Sequence, residues 1–197
     1  MDFNEIISNV KIYGLYESMV ASGYPMLINP YTSKDFCEQI DEIDSVDLIG
    51  ETTVENNNTK RAVNLASTNI GEGHDNFLNG VIIQFDLKFT VKAWTEAERY
   101  HFLDFVSSMS SMHRLTKMDY DKVFCSYVTE NTKNEMKRLL AEYNNNPCED
   151  TRLALLYNCP VGLQLTARMT TNYRQLKTIY RQRKNHALPE WKTFCKW

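Results

Sequence analysis

The stretch VIIQFDLKFTV, residues Val81–Val91, is the clearest structural signal in this 197-residue chain. Apolar side chains occupy every second position and polar or charged ones lie between them, with Ile82 as the single exception. The alternating apolar positions are Val81, Ile83, Phe85, Leu87, Phe89 and Val91. A period of two predicts a β-strand with one buried face, which is typical of antiparallel sheets. We therefore expect an α+β protein in which helices pack against an antiparallel sheet.

Helical patterns lie on both sides of this strand. Thr95 and Glu98 have the spacing of a capping box, which predicts a helix that buries Phe105 and Val106. The other predicted elements are helices over Phe3–Ala21, Ser33–Ile43 (with Ser33 as its cap), Asn131–Tyr143 and Glu149–Tyr157, a strand over Leu163–Met169, and helices from Asn172 and over Glu190–Trp197. The polar stretch Glu51–Lys60 is the nearest feature to a linker, so we expect a single domain over residues 1–197.

Composition argues against several classes of protein. The net charge of −3 and the pI near 5.8 give no reason to expect nucleic acid as a partner. No apolar run approaches the ~18 residues of a membrane span. The five cysteines are scattered and never in CxxC spacing, so neither a metal site nor a disulfide framework is indicated. With no secretory signal, we expect a cytoplasmic protein.

Positive charge is concentrated near the end of the chain. Between Arg168 and Trp197 there are eight Lys or Arg residues and one acidic residue, Glu190, so this segment carries +7 in a chain of net charge −3. Two interpretations are open, a solvated basic helix and a local site for an anion.

Arg183 is the residue on which these interpretations depend. It follows Ile179 by four residues and Leu176 by seven, so it extends the apolar stripe of the predicted helix. An arginine there needs a partner, because an unpaired buried charge costs several kcal/mol. That partner is either an internal carboxylate or the phosphate or carboxylate of a ligand, to which a guanidinium offers two parallel donors. Spacing alone leaves both alternatives open.

The segment CPVGLQLTARMTTNYRQLKTIYRQRKNHALPEW, Cys159–Trp191, resembles the C-terminal signature of flavin-dependent thymidylate synthases. Asn172-Tyr173-Arg174 matches the Asn-Leu-Arg triplet of that family, and Arg183 has the spacing of its second arginine. His186-Ala187 matches its His-Ala pair after one deletion. Upstream, the order of elements also agrees: Gly73-His74, the strand Val81–Val91, then Val91-Lys92-Ala93. The resemblance covers residues 60–197 by order of elements, and the first 60 residues show no match.

The resemblance implies a homotetramer and an enzyme that methylates dUMP or a related pyrimidine deoxynucleotide. In the family, reduced flavin (FAD) supplies electrons and a folate supplies the one-carbon unit without a protein nucleophile, so no catalytic residue is assigned. Carried over by position, the substrate-binding residues are Ser107, Arg114, Arg174 and Arg183, and the flavin contacts are Asn172 and His186. The family is common in bacteria and their phages, which implies a bacterial cytoplasm and allows a phage-encoded protein.

The chain departs from the flavin motif of the family. With Ser107 set on the first serine of the motif, its Arg-His-Arg, its Asn-Glu and its second serine fall on Phe102-Leu103-Asp104, Met109-Ser110 and Met112, and a flavin-contacting histidine falls on Thr178. Two hypotheses therefore stand. The chain is a divergent thymidylate synthase-type methyltransferase, or it is a structural or interaction protein that kept the fold and lost the chemistry. The second hypothesis predicts that Arg183 pairs with a carboxylate of this chain.

Overall fold

The structure is a computed structural model that describes residues 6–44 and 56–197. Four strands form an antiparallel sheet in the order β1-β2-β4-β3, where the strands are β1 (Ile7–Tyr13), β2 (Ile82–Thr90), β3 (Leu103–Ser108) and β4 (Gln164–Asn172). The helices of the described residues are α1 (Leu15–Ala21), α2 (Ser33–Asp44), α3 (Asn57–Ala66), α4 (Val91–Ala97), α5 (Ser111–Arg114), α6 (Glu130–Asn145), α7 (Glu149–Tyr157), α8 (Tyr173–Arg183) and α9 (Pro189–Lys196). The predicted α+β class is confirmed.

Strand β2 has the one-sided burial that its alternation predicts. Ile83, Phe85, Leu87 and Phe89 are buried, while the polar residues between them are partly exposed. β2 and β4 are the inner strands of the sheet, and β1 and β3 are its edges. The inner strands were therefore the ones that the sequence pattern identified, since only they have a continuous buried face.

The described residues form two compact units, each with its own core. The first is built from the described parts of Met1–Val10, Phe85–Thr170 and Gln182–Trp197. Its core includes an aromatic cluster, in which the ring centroids of Phe89 and Trp191 lie 4.9 Å apart. The second unit is built from the described parts of Lys11–Gln84 and Thr171–Arg181, with a core of Met19, Val20, Ile43 and Ala62.

The predicted helix over Phe3–Ala21 is wrong in its first half. Residues 3–5 lie outside the described residues, and β1 precedes the short helix α1. Gly14 separates them in a left-handed conformation with φ of 69°, where a Cβ atom would come within 2.7 Å of the carbonyl oxygen of Gly80. Only glycine adopts that conformation without steric cost. Tertiary pairing with the sheet overrides the helix-permissive composition of ISNVKIY.

The predicted capping box of Thr95 and Glu98 is also wrong. α4 begins at Val91 and its cap is Thr90, five residues before the predicted cap; the Thr90 hydroxyl accepts a hydrogen bond from the Ala93 N–H at 3.2 Å. The Thr95 hydroxyl instead donates to the Lys92 carbonyl. The residues expected at the end of that helix form β3, where both Phe105 and Val106 are exposed. An exposed edge strand has no burial alternation to reveal it.

The remaining predicted elements are confirmed with small shifts. α2, α6, α7, β4, α8 and α9 all lie where the sequence placed them. The cap of α2 is Thr32 rather than Ser33, because the Thr32 hydroxyl accepts from the Asp35 N–H and the Asp35 carboxylate accepts from Thr32. Of the predicted loop Glu51–Lys60, residues 57–60 begin α3 and residues 51–55 lie outside the described residues.

Candidate functional site

Helix α8 carries three of the predicted features, at its two ends. Asn172, the last residue of β4, caps the helix: its Oδ1 accepts a hydrogen bond from the backbone N–H of Gln175 at 2.8 Å. Arg174 therefore lies in the first turn, and Arg183 is the final residue of the helix. The two arginines belong to different charged clusters.

The first cluster, called here the Glu96 cluster, consists of Lys92, Glu96, Tyr100, Arg183 and His186. The Glu96 carboxylate accepts from three cationic or imidazole groups. Lys92 Nζ lies 2.9 Å from Oε1, while Arg183 NH1 and His186 Nε2 each lie 3.0 Å from Oε2. Both Glu96 and Arg183 have side chains about 15% exposed (14% and 15%), so the pair is largely shielded from water.

The guanidinium group of Arg183 is contacted by hydrogen-bond acceptors along its edge and by aromatic rings on its planar face. Its Nε donates to the Tyr100 hydroxyl at 2.7 Å, and that hydroxyl donates to Gln182 Oε1 at 3.0 Å. The guanidinium carbon lies 5.0 Å from the ring centroid of Trp191 and 5.4 Å from that of Tyr100, within the range of cation–π attraction. The requirement that an arginine on the apolar stripe be paired is therefore met by an internal carboxylate, as the second hypothesis predicts.

The electrostatics of the Glu96 cluster favour ionised Glu96. Burial by itself raises the pKa of Glu96, but Lys92, His186 and Arg183 together hold that pKa below its ordinary value. The backbone N–H of Leu188 donates to Nδ1 of His186 at 3.2 Å, so Nδ1 is an acceptor and the proton of the neutral ring lies on Nε2, facing Glu96. Both ring nitrogens of His186 are thus engaged within the protein.

The second cluster, called here the Asp75 cluster, consists of Asp75, Arg174 and Lys177. The Asp75 side chain is 0% exposed. Its Oδ2 accepts from Lys177 Nζ at 2.8 Å, and its Oδ1 lies 3.3 Å from Arg174 Nε without forming a hydrogen bond. Burial raises the pKa of Asp75, but the hydrogen bond and charge of Lys177 and the charge of Arg174 hold that pKa below its ordinary value. Asp75 is therefore a buried carboxylate that stays ionised because two cations face it.

The two cations of the Asp75 cluster differ in how many of their N–H donors are still unused. Lys177 Nζ also donates to the carbonyl of Ala66, the last residue of α3, and to that of Thr68, two residues later. All three of its N–H donors are therefore used. Arg174 is 33% exposed, and within residues 6–44 and 56–197 no acceptor pairs with its NH1 or NH2. Its terminal donors remain available to an anion.

Ser107 and Arg114 occupy a different part of the first unit. Ser107 is exposed on the edge strand β3, and Arg114 is exposed at the end of α5. In the described part of the chain, no hydrogen bond or ion pair joins either side chain to the Glu96 cluster. The structure thus brings Arg183 and His186 together on Glu96, and it places Asn172 and Arg174 together at the start of α8.

The positions of the family's flavin motif do not fit FAD. Leu103 is buried, Asp104 is an exposed carboxylate, and Phe102 is an exposed ring with φ of 64°. None of the three offers a cationic donor to the pyrophosphate of FAD, and Asp104 would repel it. His186 has no free ring nitrogen, and the Asn172 oxygen is occupied by the helix cap. The residues present therefore supply no flavin site of the expected kind.

Five residues of the two clusters were missed by sequence reasoning: Asp75, Lys92, Glu96, Tyr100 and Lys177. Lys92 and Glu96 have the four-residue spacing of a helical ion pair, and this signal was available once α4 was placed correctly. Asp75 lies in a turn-rich loop, and no local pattern distinguishes it from an ordinary solvated carboxylate.

The described residues contain neither a metal-binding cluster nor a membrane-spanning helix. In residues 6–44 and 56–197, no group of three or more His, Cys, Asp or Glu side chains is arranged to hold a metal ion. The same ranges contain no helix long and apolar enough to span a membrane.

The fold is similar to that of flavin-dependent thymidylate synthases. A crystal structure of the flavin-dependent thymidylate synthase ThyX from Helicobacter pylori, complexed with FAD and dUMP, aligns with a TM-score of 0.61 over 96% of this chain and 91% of that one, at 16% identity. A second structure of Helicobacter pylori ThyX with FAD and dUMP gives the same score and identity and covers 90% of that chain. No family model and no curated protein matches the sequence. The comparison therefore establishes the fold and leaves the activity to the residues.

Proposed function

We propose that this protein binds dUMP or a related pyrimidine deoxynucleotide, with Ser107, Arg114, Arg174 and Arg183 as its contacts. The observation that carries the proposal is the likeness in fold, over nearly the whole chain, to a thymidylate synthase whose complex contains dUMP. The local sequence adds a basic segment of the right order, in which Arg174 and Arg183 occupy the two arginine positions of the family signature.

The four proposed contacts do not contribute equally. Arg114 is exposed, and no acceptor in residues 6–44 and 56–197 pairs with the terminal nitrogens of Arg174, so these two side chains have donors to offer a phosphate. Arg183 already donates to Glu96 and Tyr100, and its remaining donors lie on a guanidinium that is 15% exposed. Arg174 and Arg114 are therefore, each by itself, the candidates for a direct phosphate contact, and Arg183 is better suited to supplying positive potential and a fixed hydrogen-bonding edge.

Methyl transfer is the finer form of the proposal. Such a reaction would take a folate as the one-carbon donor and FAD as the electron carrier, because no side chain of the chain can supply hydride. Since the described residues do not fit FAD at the expected positions, we derive no redox step for this protein. Nucleotide binding does not depend on that step and stands without it.

A second candidate function is favoured by one observation. Arg183 pairs with Glu96, which is what a structural or interaction protein of the same fold would show. The same ion pair also suits a binding protein, because a carboxylate behind an arginine holds the guanidinium in place for a ligand. The two functions therefore have to be separated by binding measurements.

Isothermal titration calorimetry with dUMP, deoxyuridine and inorganic phosphate tests the proposal. We expect dUMP to bind more tightly than deoxyuridine, and we expect Arg174→Ala and Arg114→Ala to lose that advantage. Arg181→Ala is the matched control, since Arg181 is an exposed arginine of the same helix. In a thermal melt, dUMP at about 100 times its Kd should add roughly 2.7 kcal/mol of stability. Absence of any heat or melting shift with millimolar dUMP would refute nucleotide binding and leave the structural function.

The cofactor question has a direct test of its own. The purified protein is mixed with FAD, passed through a gel-filtration column, and its visible absorption spectrum is recorded. A colourless protein that still binds dUMP would agree with the missing flavin donors. Retained flavin absorbance would show a rearranged cofactor site and would justify an assay for dUMP methylation with a folate donor.

A further inference from the structure

We propose that Asp75 is a positioning residue that aims the terminal nitrogens of Arg174 at a phosphate group. The proposal rests on the proposed function, because the phosphate is that of the nucleotide. It concerns a residue that the sequence signature does not contain, and it explains why the arginine at the start of α8 is available to a ligand.

The geometry of the pair divides the guanidinium into two parts. Arg174 Nε faces the Asp75 Oδ1 at 3.3 Å, while NH1 and NH2 have no acceptor within the described residues. The Asp75 carboxylate is fully buried and the arginine is one-third exposed, so the anion lies inside and the cation reaches the surface. Because the Asp75 carboxylate forms its ion-pair contact with the Nε side of the guanidinium, the planar fork of the two terminal nitrogens is left for a ligand.

Lys177 makes this arrangement electrostatically workable. Its ammonium group donates to Asp75 Oδ2 and to two backbone carbonyls at the end of α3, which leaves it no donor for a ligand. Lys177 therefore compensates the buried carboxylate, and the cluster of two cations and one anion keeps one positive charge in excess. That excess lies on Arg174, the member of the cluster with unused donors.

The ligand class follows from the shape and charge of the fork. Two parallel N–H donors match two oxygens of a phosphate or carboxylate. Arg174 also lies in the first turn of the 11-residue helix α8, where the helix dipole adds positive potential. A phosphate monoester, with its two negative charges, gains most from this combination, so the cluster is a phosphate subsite for the nucleotide.

The test compares dUMP with deoxyuridine in three variants. Arg174→Lys keeps the charge and loses the planar fork, and we expect dUMP to bind about 10-fold more weakly while deoxyuridine is unaffected. Asp75→Asn keeps the shape and loses the charge, and we expect a similar selective loss for dUMP. Because both changes disrupt the same Asp75–Arg174 ion pair, the double variant should bind dUMP no more weakly than either single variant. Arg181→Ala controls for the general loss of a charge on α8.

A spectroscopic signature separates positioning from a purely structural role. In a proton–nitrogen correlation spectrum of arginine-labelled protein, the Nε–H signal of Arg174 is identified by its absence in Arg174→Lys. Because the Asp75 carboxylate lies 3.3 Å from that nitrogen, the signal should move in Asp75→Asn. If Asp75→Asn is folded and binds dUMP as the natural protein does, the proposal is overturned. An Asp75→Asn protein that does not fold is replaced in the titration by Arg174→Lys, whose unchanged dUMP affinity would equally overturn it.

The proposal and the proposed function fail in different ways. If the natural protein does not bind dUMP, the proposed function fails, and inorganic phosphate is titrated against the Arg174 Nε–H signal instead. A shift of that signal in the natural protein that is absent from Asp75→Asn keeps the positioning role. No shift with phosphate at tens of millimolar overturns that role as well.

Discussion

Replacing Arg183 by alanine should destabilise the protein substantially, although the residue is only one of eleven in α8. The substitution removes the hydrogen-bonded ion pair with Glu96, the hydrogen bond to Tyr100 and the contact with the Trp191 ring. A hydrogen bond to a charged group contributes about 1.5–3 kcal/mol, and a shielded cation–π contact contributes about 0.5–2 kcal/mol. Glu96 keeps Lys92 as a partner, which limits the cost of the orphaned carboxylate.

These contributions give an expected loss of about 2–4 kcal/mol, at the lower edge of the range for breaking a buried pair. For a protein of this length, each kcal/mol lowers the melting temperature by about 2–4 °C, so the midpoint should fall by roughly 4–16 °C. Circular dichroism melts of the natural protein, Arg183→Ala and the control Arg181→Ala measure this directly. Arg181 is exposed, so its replacement should change stability by about 0.5 kcal/mol or less.

Two results would contradict this role of Arg183. One is an Arg183→Ala protein whose melting temperature is within about 2 °C of that of Arg181→Ala. The other comes from a double-mutant cycle with Glu96→Gln. If the cluster is a unit, the coupling free energy between residues 96 and 183 should reach about 1 kcal/mol or more, and strictly additive losses would show that the ion pair contributes nothing.

Three further predictions concern other groups. Because the pKa of Glu96 is lowered on folding from its ordinary value of 4.5, its contribution to stability is present above that value and is lost as the pH falls through the folded pKa. The stability advantage over Glu96→Gln, measured by urea unfolding, should therefore be full near neutral pH and shrink as the pH falls below 4.5. A pH-independent difference would contradict this. Asn172→Ala removes the cap of α8 and should cost about 1 kcal/mol in a urea titration, whereas an unchanged midpoint would mean that the cap is dispensable. Cys148 is exposed, and hydrogen bonds with the hydroxyl and backbone of Thr151 lower its pKa, whereas burial raises the pKa of Cys159 to about 11. Mass spectrometry after brief iodoacetamide treatment near neutral pH should therefore find Cys148 modified before Cys159. Faster labelling of Cys159 would count against the structure around α7.

The resemblance to flavin-dependent thymidylate synthases was drawn from short stretches of sequence, and the fold agrees with it. Val81–Val91 and Cys159–Trp191 carried that inference because they contain the inner strands and the helix that follows them. Asn172 shows how a local match and a local structural role coincide, since it is both part of the matched triplet and the cap of α8. The charged clusters could be predicted only in part. The sequence motif identifies the arginines Arg174 and Arg183, but it does not identify Asp75 and Glu96, the carboxylates that face them.

The edge strands were the main failure of sequence reasoning about the fold. β1 and β3 each expose almost every side chain, so neither has the alternation of buried and exposed residues that marks a half-buried strand. ISNVKIY was compatible with a helix, and LDFVSS was compatible with the end of one. Pairing with β2 and β4 decides their conformation, and a neighbouring strand is not part of the local sequence.

The amino-acid pattern alone indicated where apolar faces lie and which charges on those faces must be paired. The period of Val81–Val91 specified a half-buried strand, and the position of Arg183 on the stripe of α8 required an anionic partner. That this partner is Glu96, 87 residues earlier, and that Asp75 faces Arg174, became evident from the three-dimensional contacts. This difference arises because burial follows from the local period of a helix or strand. The identity of a charged partner depends instead on which distant segments the core brings within about 3 Å of each other.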